Sequence, residues 1–252
     1  MRENYEIKHH RLEKKHCFLL SRRNMIKSII DAWKNKNINI LEVGCSSGVL
    51  LSELKEVGYK NLTGLDTSIS ALDLCKKNGI NSVLLTGSSI PLQDNKFDLV
   101  ISSDVLEHIE DQNTALKEWC RVLVKGGKLV IMVPAFQFLW SDHDVINNHC
   151  RRYSVGTLIE VLERNGFKID RVTYWNFLLF FPVLFTRVPS NLIKKLFSSK
   201  KDSASEPKDQ LYELPIFIDR IIKVLLHIEN YYIKIGGRFP FGVSVLAVAT
   251  KK

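Results

Sequence analysis

Over the first 37 residues, Leu19, Leu20, Ile26, Ile29, Ile30 and Trp33 recur at three- and four-residue intervals with lysines and arginines between them. That spacing predicts a helical segment that packs by its apolar stripe. At Ile38 the rhythm changes to short, uniformly apolar runs separated by helices. The runs are INILEV, NLTGLD, SVLLT, FDLVISS and KLVIMV. The helices between them carry Leu50, Leu51, Leu54 and Val57 before Gly58, then Ser68 to about Lys77, then Ala115, Leu116, Trp119, Cys120 and Leu123 up to a stop at Gly126 and Gly127. Strands apolar along their whole length, alternating with helices, indicate a parallel sheet covered on both faces.

A further helix, capped by Ser154 and ending at Asn165 and Gly166, leads to a strand FKIDRVTYW, and VSVLAVATK forms a last strand. More than 60 residues separate those two strands, too many for an ordinary connection. They hold NFLLFFPVLF, the polar piece SSKKDSASEPKDQ, and a helix from Pro215 to Ile235. In that helix Ile218, Ile221, Ile222, Leu225, Ile228, Tyr232 and Ile235 form a stripe opposite Asp219, Arg220, Lys223 and Lys234. The expected partition is an N-terminal helical extension (1–37), an α/β core (38–175 and 236–252) and a helical insertion with a polar, mobile linker (176–235).

Composition narrows the class. No apolar run approaches the roughly 20 residues that cross a bilayer. The start, MRENYEIKHHRLEKKH, is charged where a signal peptide would be apolar, so a cytoplasmic protein is expected. The five cysteines, Cys17, Cys45, Cys75, Cys120 and Cys150, include no CxxC pair and fit reduced, buried thiols. A net charge of +9 suggests an anionic partner, or simply a solvated basic surface.

The chemistry starts at LEVGCSSG, Leu41 to Gly48, between the first strand and its helix. A strand, a tight turn and a helix N-terminus bring backbone N–H groups to the carboxyl edge of the sheet, where open α/β folds bind ligands. A dinucleotide fingerprint beginning at Gly44 would need glycine where Ser46 and Val49 stand, which weakens a hydride-transfer reading. The spacing present is Glu42-x-Gly44-x-x-x-Gly48. The second strand ends in Asp66, whose carboxylate can accept both hydroxyls of a ribose.

With IPLQDNKFDLVISSDVLEHIED and LKEWCRVLVKGGKLVIMVP, this loop resembles the class I S-adenosylmethionine-dependent methyltransferases, in particular a type 11-like small-molecule subgroup. The resemblance runs from about Ile38 to Val133 and more loosely to the end. It implies a doubly wound, seven-stranded, mostly parallel sheet with the last strand antiparallel, and S-adenosyl-L-methionine as cofactor. It further implies that Glu42, Gly44, Ser46 and Gly48 surround the methionine part, that Asp66 and Thr67 hold the ribose, and that Ser88, Ser89 and Ile90 flank the adenine. Ser103, Asp104 and His108 would lie near the sulfonium. The chain departs from the pattern twice: Ser46 replaces a glycine, and Thr86 to Ser89 stand where an acidic residue often precedes the "LP" pair.

Methyl transfer from a sulfonium is an in-line displacement from an activated donor, so the protein must align an acceptor and, for a hydroxyl, remove a proton. PAFQFLWSDHDVINNHCRRYS, after the fifth strand, offers groups for both tasks. His143 or His149 is the candidate general base, and Arg151 and Arg152 are candidate clamps for an anionic group. Tyr153 completes the candidate catalytic set, although Arg151 or Tyr153 can equally lock the loop onto the sheet. No metal site is expected, because His143 and His149 lack a supporting ligand set.

This segment, with YWNFLLFFPVLF and RFPFGVSVLAV, is similar to bacterial members associated with cell-envelope glycans, some fused to glycosyltransferases acting on lipid-linked sugars. The implied acceptor is a small molecule or a lipid-linked saccharide, methylated at oxygen. Residues 177–201, aromatic and then lysine-rich, fit peripheral contact at an inner membrane surface, a lid, or a dimer face. An RNA methyltransferase, prompted by the basic N-terminus, is the other enzyme reading and ranks lower, because the fourth strand ends in SSDV and not in an Asn/Asp-Pro-Pro-aromatic signature, which argues against nucleic acid. A non-catalytic, membrane-associated cofactor-fold protein is the contrasting alternative, and the oligomeric state is left open.

Overall fold

The computed structural model describes residues 12–13, 15–187 and 215–252. Seven strands form one sheet: β1 (Asn39–Val43), β2 (Asn61–Asp66), β3 (Asn81–Leu84), β4 (Phe97–Ser103), β5 (Leu123–Pro134), β6 (Phe167–Trp175) and β7 (Ser244–Lys251). Their order is β3-β2-β1-β4-β5-β7-β6. β7 runs antiparallel to both β5 and β6, and the other pairings are parallel. The expected doubly wound sheet with an antiparallel last strand is the one observed. The helices are α1 (Cys17–Asp31), α2 (Val49–Glu56), α3 (Ile69–Lys77), α4 (Gln112–Val122), α5 (Asp142–Ile146), α6 (Val155–Arg164) and α7 (Ile216–Lys234), with a further helical stretch at 180–187.

Strand alternation divides the core in two. Leu41, Val43 and Val100 face Trp119 of α4 and Leu158 of α6. Ile40, Leu99 and Ile101 face Leu51 of α2, Ile26 of α1 and Leu226 of α7. Winding reverses between β1 and β4, so the loops leaving these neighbours diverge and open a crevice at their carboxyl ends.

Two elements differ from the sequence pattern. α4 stops at Val122, before the glycines, and Gly126 and Gly127 lie within β5, where Gly126 takes φ +77°. The larger difference is in α7. Its expected apolar stripe points largely to solvent, Ile228 being 56% and Ile235 65% exposed. The buried face is instead Leu226, Glu229, Asn230 and Ile233. The cause is an unmet demand for hydrogen bonds: Asn230 accepts from Trp175 Nε1 and donates to the Ser21 carbonyl, both at 2.8 Å, while Glu229 accepts the amides of Phe177 and Leu178. Buried backbone and indole donors need partners more than the helix needs an unbroken apolar face. Of the insertion's polar linker and of the lysine-rich part of 177–201, residues 188–214 lie outside the described residues. Among the described residues no helix is long and apolar enough to cross a membrane.

This packing predicts that Asn230→Leu, which strands the Trp175 indole and the Ser21 carbonyl, lowers stability by about 2–4 kcal/mol. Ile228→Ser, on the outer face, should stay within about 0.5 kcal/mol of wild type. Urea unfolding measures both, and equal costs would show that the outer face is covered.

Candidate active site

The loop after β1 owes its glycines to the protein's own packing. Gly44 has φ +70°, and a Cβ there would stand 2.4 Å from a Val105 methyl; Gly48, φ +74°, caps α2 with its Cβ position 2.8 Å from Cys75 Sγ. Ser46 also lies in the left-handed region, at φ +50°, held because its amide donates to Asp66 Oδ2 at 2.9 Å. The Ser68 amide donates to Asp66 Oδ1 at the same distance. Asp66 is thus aimed by two backbone donors and keeps a free lone pair on each oxygen.

Before α1, the chain contributes Glu13, which is buried and accepts from Ser47 Oγ at 2.6 Å and from Ser46 Oγ at 3.4 Å. The hydroxyl of Ser46 therefore turns towards the N-terminal segment. Glu42 is buried with Oε2 accepting no hydrogen bond. Burial, and next the charge of Glu13, hold its carboxyl well above the ordinary range. Cys45 and Cys75 are buried thiols behind the loop, 3.7 Å apart.

A single cavity of about 1190 Å³ extends from this loop across the crevice. Small-molecule sites hold about 300–1,000 Å³, so this one has room for two ligands side by side. Thr67, Ser88 and Ile90 line it, as do Ser103, Asp104 and His108. Ser89 is not in the lining; its hydroxyl reaches Glu118 Oε2 at 3.3 Å, and the Ile90 amide donates to the same oxygen at 2.7 Å. Glu118, from α4, is drawn down to about 2 by its hydrogen bonds with Arg121. A carboxylate thus stands beside the position where the sequence lacks one, supplied from the next helix.

At the other end, Asp144 is wholly buried. It accepts from His149 Nδ1 at 2.8 Å and from Arg152 through Nε at 2.8 Å and Nη2 at 2.9 Å, while Arg152 Nη1 donates to the Ala135 carbonyl. Burial alone would raise Asp144, but the hydrogen bonds from His149 and Arg152 outweigh it and keep the carboxylate ionised. An ionised carboxylate only accepts, so Nδ1 of His149 carries the proton of this hydrogen bond, and in the neutral ring Nε2 would be the lone-pair nitrogen. His108 stands edge-on to His149, ring centroids 4.6 Å apart. Burial, then His149, pushes His108 down to about 4. Glu107 is buried beside them and burial raises it to about 8. His143 also lines the cavity, near Asn147.

Of the candidate catalytic residues, His143, His149 and Arg152 face the cavity and Arg151 and Tyr153 do not. Arg151 donates to the Glu110 carbonyl and Tyr153 to Gln112, which latches the loop to the start of α4. Arg152 faces the cavity but is committed to Asp144 and Ala135. Glu13, Arg22, Glu118 and Arg187 also line the cavity; Glu107, within the DVLEHIED motif, is buried next to His108 and His149 and is not part of the lining. Arg22, from α1, pairs with Asp104, which sits at φ +53° after β4.

A family model described as a methyltransferase domain matches residues 41–131. Over 114 residues the chain is 32% identical to a tRNA U34 carboxymethyltransferase of Nautilia profundicola, covering 43% of this chain and 37% of that protein. Over 101 residues it is 30% identical to a ubiquinone biosynthesis O-methyltransferase of Pelagibacter ubique, covering 38% and 42%. The match thus spans less than half the length of either relative. In fold it is similar to a SAM-dependent methyltransferase from Archaeoglobus fulgidus, with a TM-score of 0.57, 20% identity, and 97% and 99% of the two chains covered.

Burial, then the charge of Arg187, pushes His143 down to about 3 from 6.5. Above about pH 6.5 the ring is neutral in folded and unfolded chains alike. Below it the unfolded chain takes up a proton that the folded ring refuses, so this contribution to stability is lost as pH falls towards 3. Urea midpoints for His143→Gln should therefore decline less steeply between about pH 6.5 and 4 than those of wild type. Parallel declines would mean that the ring is reached by water.

Proposed function

Since the chain carries a methyltransferase domain on the class I fold, whose cofactor is S-adenosylmethionine, we propose that it moves a methyl group to a hydroxyl of a small-molecule or lipid-linked saccharide acceptor. The observation that carries this reading is one continuous cavity with the glycine loop at one end and the His149–Asp144 pair at the other. The residues present fit the cofactor. The unpartnered Oε2 of Glu42 suits an ammonium, and Asp66, aimed by the amides of Ser46 and Ser68, suits a ribose diol.

When bound, the cofactor supplies a methyl already activated on sulfonium, which leaves alignment and deprotonation to the protein. His149 takes the acceptor's proton on Nε2, and Asp144 holds the ring in that tautomer and stabilises the imidazolium that results. His143, too weakly basic to compete, orients the acceptor. Phe181 and Phe185 are exposed on the 180–187 stretch, whose Val183 and Arg187 line the cavity. That arrangement supports an acceptor with an apolar tail, presented at a membrane surface. An RNA acceptor is the second reading, favoured by the tRNA-acting relative and the charge of +9.

Calorimetry should show no S-adenosylmethionine binding by Asp66→Ala. His149→Ala should keep binding and lose about 10²–10⁴-fold in turnover. Tritiated methyl transfer into cell extract, separated into lipid, RNA and soluble pools, identifies the acceptor. Label confined to RNA would replace the saccharide reading by the second one.

A further inference from the structure

Among the described residues, Glu107 at the His149 end of the cavity has no hydrogen bond from another residue: it is wholly buried, and neither carboxylate oxygen has such a partner. Its Oε1 lies 4.0 Å from Nε2 of His149, the ring nitrogen that Asp144 does not engage. That is too long for a hydrogen bond. His108 supplies a third donor, and the ligand atoms of the three side chains lie within 4.8 Å of one another.

We propose that Glu107, His108 and His149 bind a divalent transition-metal ion of the zinc type, with its open positions turned to the cavity. Two histidines and a carboxylate are a ligand set of catalytic zinc, which keeps further positions for water or substrate. Ligand bonds of about 2.0–2.2 Å put two ligands of one ion no more than about 4.2 Å apart, so the widest gap closes with side-chain movement of about 1 Å. The outer layer is in place as well. Asp144 receives the second nitrogen of His149 and is itself held by Arg152, the carboxylate–histidine–metal arrangement that orients a ligand.

Binding of the ion does not depend on the methyltransferase reading, but its use does. A hydroxyl acceptor coordinated there loses its proton to solvent, and its oxygen forms the C–O bond as the methyl–sulfur bond breaks and leaves its electron pair on sulfur. His149 then acts as ligand, and the ion replaces it in lowering the acceptor's proton affinity.

The test uses the full chain stripped with a chelator and titrated with Co²⁺ alone, followed by visible absorption and calorimetry. Wild type should bind one equivalent and develop visible ligand-field bands; Glu107→Gln and His149→Asn should lose both. Asp144→Asn should weaken binding about 10–100-fold. S-adenosylmethionine titrated into the same samples reports that the variants are folded and separates the two readings. Cofactor binding with no Co²⁺ bands in wild type, or Co²⁺ binding unchanged in Glu107→Gln and His149→Asn, overturns the metal site. Co²⁺ bands without cofactor binding would leave it standing and sink the methyltransferase reading.

Discussion

Asp144 accepts hydrogen bonds from the backbone and hydroxyl of Ser141, from His149 and from two nitrogens of Arg152, with no exposure to solvent. A charge so deeply buried persists only because every donor around it is in place, and removing Arg152 would leave it uncompensated. The pair does three things at once. It caps α5, it ties the loop after β5 back to the Ala135 carbonyl, and it orients the His149 imidazole, whose Nε2 lies 4.0 Å from Glu107. The end of the cavity proposed for the acceptor is thus held by electrostatics within a short loop, whereas the end proposed for the cofactor is held by backbone geometry at the edge of the sheet.

The segments outside the alternating strands and helices are walls of the site. Glu13 closes over Ser46 and Ser47, Arg22 spans to Asp104, and the 180–187 stretch brings Arg187 beside His143. α1 and α7 pack against each other, which places the chain before β1 and the chain after β6 over the same crevice. Ser46 fits this arrangement: the space a glycine would leave is filled by a hydroxyl that reaches Glu13.

The loop Gly44–Gly48, Asp66 and the alternating strands were legible in the sequence because they are local. Left-handed backbone favours glycine, as at Gly44 and Gly48, a buried parallel strand needs apolar residues throughout, and a capped helix shows its Ser or Asp, as at Ser68, Asp111 and Ser154. His149 and Arg152 were visible as residues but not as partners. Tyr153 and Arg151 look the same in sequence, yet they turn to α4 while their neighbour turns into the cavity.

By itself, then, the sequence determined the order of strands and helices and the glycine turn at the carboxyl edge, since each rests on contacts within a few residues, while the cofactor followed from the resemblance of motifs spread from Ile38 to Val133. Tertiary structure decided which face of α7 is buried, that Glu118 supplies a carboxylate beside Ile90, and that Glu107 meets His149 across 42 residues of chain. Those outcomes depend on which buried donors find acceptors once the helices are laid on the sheet. That balance is settled by distance in space, and the spacing of letters along the chain does not contain it.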